Sequence, residues 1–118
     1  VFKNSKTDQV GEIETDVVLI AAGRLPNVEG LGCEAAGVEF DRYGIKVNEF
    51  LQTANEDIFA VGDCLPGPKF THNSDVHARY VIRNALFQDR KNKDEIILPA
   101  CTYTDPEVAS VGMNEVRL

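Results

Sequence analysis

The chemistry of this chain concentrates in one stretch, TANEDIFAVGDC, Thr53 to Cys64, and within it in the turn Gly62-Asp63. A short apolar run, Ile58 to Val61, leads into a glycine and then a carboxylate with no cationic neighbour in sequence. At the carboxyl end of a buried strand in an open α/β sheet, such a position is where ligands bind. A carboxylate there needs a hydrogen-bond donor, and a sugar or polyol hydroxyl would serve. The simpler alternative is that Asp63 caps the segment that follows.

Other reactive residue types carry weaker signals. Arg24 follows Gly23 at the end of an apolar run and suits either a phosphate or carboxylate partner or an exposed structural role. Cys33, Cys64 and Cys101 lie far apart with no CxxC pair, so no disulfide framework and no metal site is expected. A reducing, cytoplasmic location is the simplest reading of that set. His72 and His77 suit capping or surface roles, and for His77 such a role is the expectation.

These residues need elements to position them. Val1 to Val10 and Gly11 to Thr15 read as two strands around a turn at Lys6-Thr7-Asp8. Val17 to Ala22 is an unbroken apolar run ended by Gly23, which suits a strand covered on both faces. Cys33 to Ala36 can form one helical turn closed by Gly37. Val38-Glu39-Phe40 and Ile45-Lys46-Val47 alternate apolar and polar around Asp41-Arg42-Tyr43-Gly44, predicting a hairpin with a type I turn. Leu65-Pro66-Gly67-Pro68 cannot be helix. Thr71 or Asn73 can then cap a helix to about Gln88, with Ala78, Val81, Ile82, Ala85 and Leu86 as its apolar stripe. Asp75 precedes Arg79 by four residues and should pair with it. Asp89 to Glu95 reads as a charged linker and domain boundary. Ile96 to Tyr103 and Val108 to Val111 read as strands around Asp105-Pro106, and Asn114 as the cap of a further helix.

The 118 residues suffice for one domain, and an apolar content of 43% with 26% charged is that of an ordinary globular protein. Nineteen acidic against twelve basic residues give a net charge of −7. That balance argues against nonspecific nucleic-acid binding, which needs basic clusters. The run from Val17 to Gly23 is far too short for a membrane span. The chain opens at Val1 inside an expected strand and stops at Leu118 inside an expected helix, so a fragment of a longer protein is expected.

Four pieces then line up in order: AAGRLPN (Ala21 to Asn27), IFAVGDC (Ile58 to Cys64), GPKFTH (Gly67 to His72) and TYTDPEVASVG (Thr102 to Gly112). In this order and spacing the chain resembles the second half of the class I pyridine nucleotide-disulfide oxidoreductases, such as dihydrolipoamide dehydrogenase, glutathione reductase and mercuric reductase. GPKFTH and the helix after it look most like the mercuric reductase-like branch. The resemblance implies an α/β protein, or an α+β fragment of one: part of a two-dinucleotide-binding-domain FAD/NAD(P) fold with the start of an α+β dimerisation domain. Residues 1–23 would end the NAD(P)-binding domain and cross over, 24–92 would complete the FAD-binding domain, and 93–118 would begin the dimerisation domain.

By the same resemblance Asp63 accepts a hydrogen bond from the ribitol chain of FAD, and Gly62 leaves room for the ligand. Lys69, Phe70, Thr71 and His72 would lie where the loop meets the helix beneath the flavin ring. There the unpaired N–H groups of the helix amino end would stabilise negative charge on the reduced flavin. Gly23 would let the nicotinamide nucleotide, NAD(P)H, approach closely. Cys64 has no partner cysteine, so the redox disulfide is expected elsewhere. The family's GxGxxG loops, CxxxxC pair and His-Glu acid/base pair are missing from this sequence. The chain is therefore expected to hold part of a flavin cradle, to form a homodimer in its parent, and not to catalyse alone. Two other readings are a free-standing interaction module without cofactor, and a nucleotide hydrolase with Asp63 as a Walker-B-like magnesium ligand. The latter lacks a GxxxxGK[ST] loop.

Overall fold

The computed structural model of the chain describes residues 1–113 and 115. The helix expected to start at Asn114 lies outside the described residues. The described architecture is α+β: three separate two-stranded antiparallel sheets, one long helix, and two 3-10 turns. Strands β1 (Phe2–Lys3) and β2 (Val10–Gly11) form the first hairpin, with the Asn4 side chain accepting from the Lys6 and Thr7 amides to make the turn. Strands β3 (Phe40–Asp41) and β4 (Gly44–Ile45) form the second, as the alternation predicts. Here Asp41 Oδ1 accepts from the Tyr43 amide at 2.7 Å, and Gly44 takes the positive φ of +134° that closes the loop.

The core gathers between these elements. Val28, Cys33, Val38, Ile45, Leu51, Ala60 and Leu65 are buried together, with Leu51 completely enclosed. The Cys33–Gly37 turn forms as expected, with Gly37 at φ +69° and the Val38 amide returning to the Cys33 carbonyl at 2.8 Å. Ile58 to Val61 is extended, but its ladder is a single bridge, Gln52 opposite Phe59, flanked by Thr53 and Ala60 amides donating to Ile58 and Leu51 carbonyls. Its partner is thus the chain segment just before it, joined through the Thr53–Asp57 turn.

Val17 to Ala22 forms no strand. Val17, Val18, Leu19 and Ile20 are 79%, 75%, 87% and 85% exposed. A doubly covered strand needs a neighbour on each side to satisfy its backbone, and the described residues offer neither.

Helix α1 (Thr71–Phe87) spans 17 residues. Its N-cap is Phe70, extended and without a side-chain bond, so neither Thr71 nor Asn73 caps it. The cap falls one residue before Thr71, and the Asn73 side chain donates to the Pro68 carbonyl at 3.4 Å. Of the expected apolar stripe, Val81 packs on the core, but Ile82, Ala85 and Leu86 are exposed. Ile82 and Leu86 are 54% and 72% exposed, while Asn73 and His77 are buried and Tyr80 and Val81 pack on the core. Asn73, His77, Tyr80, Val81 and Asn84 share one helical face, and three of those five side chains are polar. The Asp75–Arg79 pair forms at 2.9 Å.

Asp89 to Glu95 is no free linker. The Asn84 side chain accepts from the Lys91 amide at 2.5 Å and donates to the Lys91 and Phe50 carbonyls, while the Lys93 amide donates to the Glu49 carbonyl at 2.8 Å. Beyond it, β5 (Ala100–Thr102) and β6 (Val108–Ser110) pair antiparallel, shorter than expected.

Candidate functional site

The Gly62-Asp63 turn is a 3-10 turn, Gly62–Cys64, seated on the first turns of α1. Gly62 is buried at φ +75°, a left-handed conformation that favours glycine. A Cβ there would lie 2.7 Å from Ser74 Oγ and 3.0 Å from Ser74 Cβ. The side chain that requires the glycine is therefore one of the protein's own. Gly44 performs a similar service from the β3–β4 hairpin: a Cβ there would collide with the Cys64 carbonyl oxygen and stand 2.9 Å from the Leu65 carbonyl carbon. Two glycines thus let a helix and a hairpin close on the backbone that carries Asp63.

Asp63 itself points outward. It does have a cationic partner, distant in sequence: Arg24 Nη1 lies 3.8 Å from Asp63 Oδ2, both side chains more than half exposed. A pair so open to solvent is worth about 0–1 kcal/mol and leaves most of the carboxylate's accepting capacity free. The segment Gly23-Arg24 is therefore brought to the turn through Arg24. Gly23 has φ +101°, and a Cβ there would meet nothing within 4 Å. Cys64 is half-buried and donates its thiol to the Val61 carbonyl at 3.2 Å.

On the other side of the Gly62–Ser74 contact stands the amino end of α1. It has no side-chain cap and no acidic residue in its first turn, so its leading N–H groups and partial positive charge are available to an external acceptor. Lys69 is held by the Leu65 carbonyl and is half-buried rather than freely solvated. Phe70 stacks on the His72 ring, centroids 5.2 Å apart and 12° from parallel. His72 does not cap. Its Nε2 donates to the Pro99 carbonyl at 2.8 Å and ties the helix start to the β5 side, beside a cleft of about 460 Å³ that also includes Cys101 and Tyr103. Thr71 is exposed at the first helical position.

One residue expected only to cap or to lie at the surface belongs to this site. His77 is 7% exposed, and its Nδ1 accepts the Gly62 N–H at 3.4 Å. Burial pushes its imidazole below the ordinary 6.5, and the nearby Lys93 charge adds to the shift. Its spacing of four from Asn73 was the available signal, since both fall on the face that Tyr80 and Val81 share. The arrangement as a whole offers an exposed carboxylate acceptor next to a set of free backbone donors.

The sequence profile of the pyridine nucleotide-disulphide oxidoreductase family matches residues 2–78. A mercuric reductase of Staphylococcus aureus is 41% identical over 104 residues, covering 87% of this chain and 19% of that protein. The dihydrolipoyl dehydrogenase 3 of Pseudomonas aeruginosa is 37% identical over 106 residues, 90% of this chain and 22% of that protein. Among solved structures, the Cu(II) complex of the HOCl-induced flavoprotein disulfide reductase RclA from Escherichia coli superposes with a TM-score of 0.78 at 32% identity. That match covers 86% of this chain and 24% of the other. The chain spans about a fifth of the length of the curated relatives it matches. With a family profile matched over well more than half its length, the chain belongs to the pyridine nucleotide-disulphide oxidoreductases.

Proposed function

We propose that this chain is part of the flavin cradle of an FAD-dependent NAD(P)H disulfide oxidoreductase. The single observation that carries the reading is the Gly62-Asp63 turn packed on the uncapped start of α1. It sets an exposed carboxylate and free N–H donors on either side of one contact, which fits a cofactor that carries both hydroxyls and an electron-rich ring edge. Asp63 would accept from a ribitol hydroxyl, with Gly62 letting the turn that carries it close on Ser74 of α1. The helix start at Phe70, Thr71 and His72, reached through Lys69, would face the flavin's pyrimidine edge, and its dipole contributes about 0.3–1 kcal/mol. When bound, FAD supplies the two-electron chemistry between NAD(P)H and a disulfide. Gly23, with open space around it, would leave room for the nicotinamide nucleotide.

The parent protein is read as a homodimer, mercuric reductase-like or dihydrolipoamide dehydrogenase-like, in the cytoplasm. Within it, residues 1–23 end the NAD(P) domain, 24–92 complete the FAD domain and 93–118 begin the dimerisation domain. Among the described residues no helix is long and apolar enough to cross a membrane. In the full-length protein Asp63→Ala should weaken flavin affinity by roughly 10- to 150-fold, the equivalent of one charge-assisted hydrogen bond of about 1.5–3 kcal/mol. Unchanged affinity by fluorescence titration would sink the assignment of Asp63.

A further inference from the structure

We propose that His77 is the positioning residue of the Gly62-Asp63 turn, holding it through an Nδ1 that accepts the Gly62 N–H and releasing it when that nitrogen takes a proton. A backbone N–H can only donate, so the ring nitrogen 3.4 Å away must carry a lone pair, which makes His77 neutral with its proton on Nε2. The same helix grips the glycine twice. Ser74 closes on its Cα from one side, and His77, three residues further along, takes its amide.

The surroundings keep that nitrogen unprotonated near neutrality. His77 shares a cleft of about 600 Å³ with Lys46, Lys93 and Asp94. Lys46 is matched by Glu39 at 3.6 Å and Lys93 by Asp94 at 2.7 Å. On the turn itself the charged group is Asp63, and it faces Arg24. No carboxylate hydrogen-bonds His77 among the described residues, and burial together with Lys93 disfavours the imidazolium. Once protonated, Nδ1–H would oppose Gly62 N–H, two donors face to face, and the turn would lose its anchor. The consequence for cofactor affinity rests on the reading of Asp63 given above; the anchoring of the turn does not.

The chain contains two histidines, His72 and His77, so 15N-histidine labelling separates their titrations. Ring nitrogens and the Gly62 amide would be followed by NMR from about pH 8 to about pH 5, a range that brackets imidazole titration. His77 should titrate below 6.5, and the Gly62 amide should move with the same midpoint. In His77→Gln, whose side-chain oxygen accepts but does not titrate, the Gly62 amide should keep its position and become independent of pH. In His77→Phe it should be displaced at every pH. A His77 that titrates at its ordinary value beside a stationary Gly62 amide overturns the proposal, as does a Gln variant displaced as far as Phe. In the full-length protein, flavin affinity should fall in acid for the wild type and stay flat for His77→Gln. A protein that binds no flavin yet shows the amide coupling would count against the functional reading alone.

Discussion

Replacing Gly62 by alanine tests the architecture of the turn most sharply. At φ +75° an L-residue is strained by about 1–2 kcal/mol. The new Cβ would also stand 2.7 Å from Ser74 Oγ and 3.0 Å from Ser74 Cβ. The hydroxyl can rotate away, but the Cβ belongs to the helix and cannot, so overpacking adds about 1–3 kcal/mol. Together the two effects destabilise by about 2–5 kcal/mol, a large share of the ~5–15 kcal/mol that holds a domain folded. Urea unfolding of the full-length protein would read the loss as a fall in midpoint at constant slope. A double-mutant cycle then separates the two causes. Ser74→Gly alone costs about 0.5 kcal/mol of helix propensity, but in the Gly62→Ala background it should recover the steric part and leave the φ strain. A Gly62→Ala protein within about 0.5 kcal/mol of wild type, the range of an ordinary surface substitution, would refute the described packing. Strict additivity in the cycle would refute the contact with Ser74.

Gly44→Ala should also destabilise, by about 1–3 kcal/mol from overpacking alone, because its Cβ would drive into the Cys64–Leu65 backbone; the unfolding midpoint reads this too. Arg24→Ala should change stability by no more than about 1 kcal/mol, since the Asp63 pair is open to solvent. Asn84→Ala should destabilise by about 1–3 kcal/mol, leaving the Lys91 amide and the Phe50 and Lys91 carbonyls without their partner. The His77 contribution depends on pH with a definite sign. Its folded-state pKa is depressed, so the unfolded chain binds the proton more readily. The contribution is present in full well above 6.5 and is lost as pH falls from there through the folded value. Thermal melts of wild type and His77→Gln should diverge across that window and run parallel above it.

What the sequence made legible was local. Asp41 and Gly44 announced their hairpin, Gly37 its turn, and Pro66 and Pro68 the break before α1, because each acts through its own backbone preference. The Val17 run failed as a strand because β structure is a property of pairs, and hydropathy alone says nothing about the partner. The buried face of α1 departs from its apolar stripe, Val81 apart, for a related reason. Ile82 and Leu86 looked like core by type, yet the polar Asn73, His77 and Asn84 are the ones buried or hydrogen-bonded against the rest of the chain. The break into a turn carrying an exposed carboxylate at Asp63 was legible, whereas its supports were not. Ser74, His77 and Gly44 reach it from 12, 15 and 18 residues away, contacts that only the folded arrangement creates.

The central claim, that Gly62-Asp63 and the start of α1 form part of a flavin cradle, is tested most directly by the visible spectrum of the purified full-length protein before and after NAD(P)H. The protein should be yellow, its flavin absorbance should bleach when the reduced nucleotide is added, and Asp63→Ala should lose the colour on desalting. A colourless protein that neither takes up added FAD nor oxidises NAD(P)H would contradict the claim.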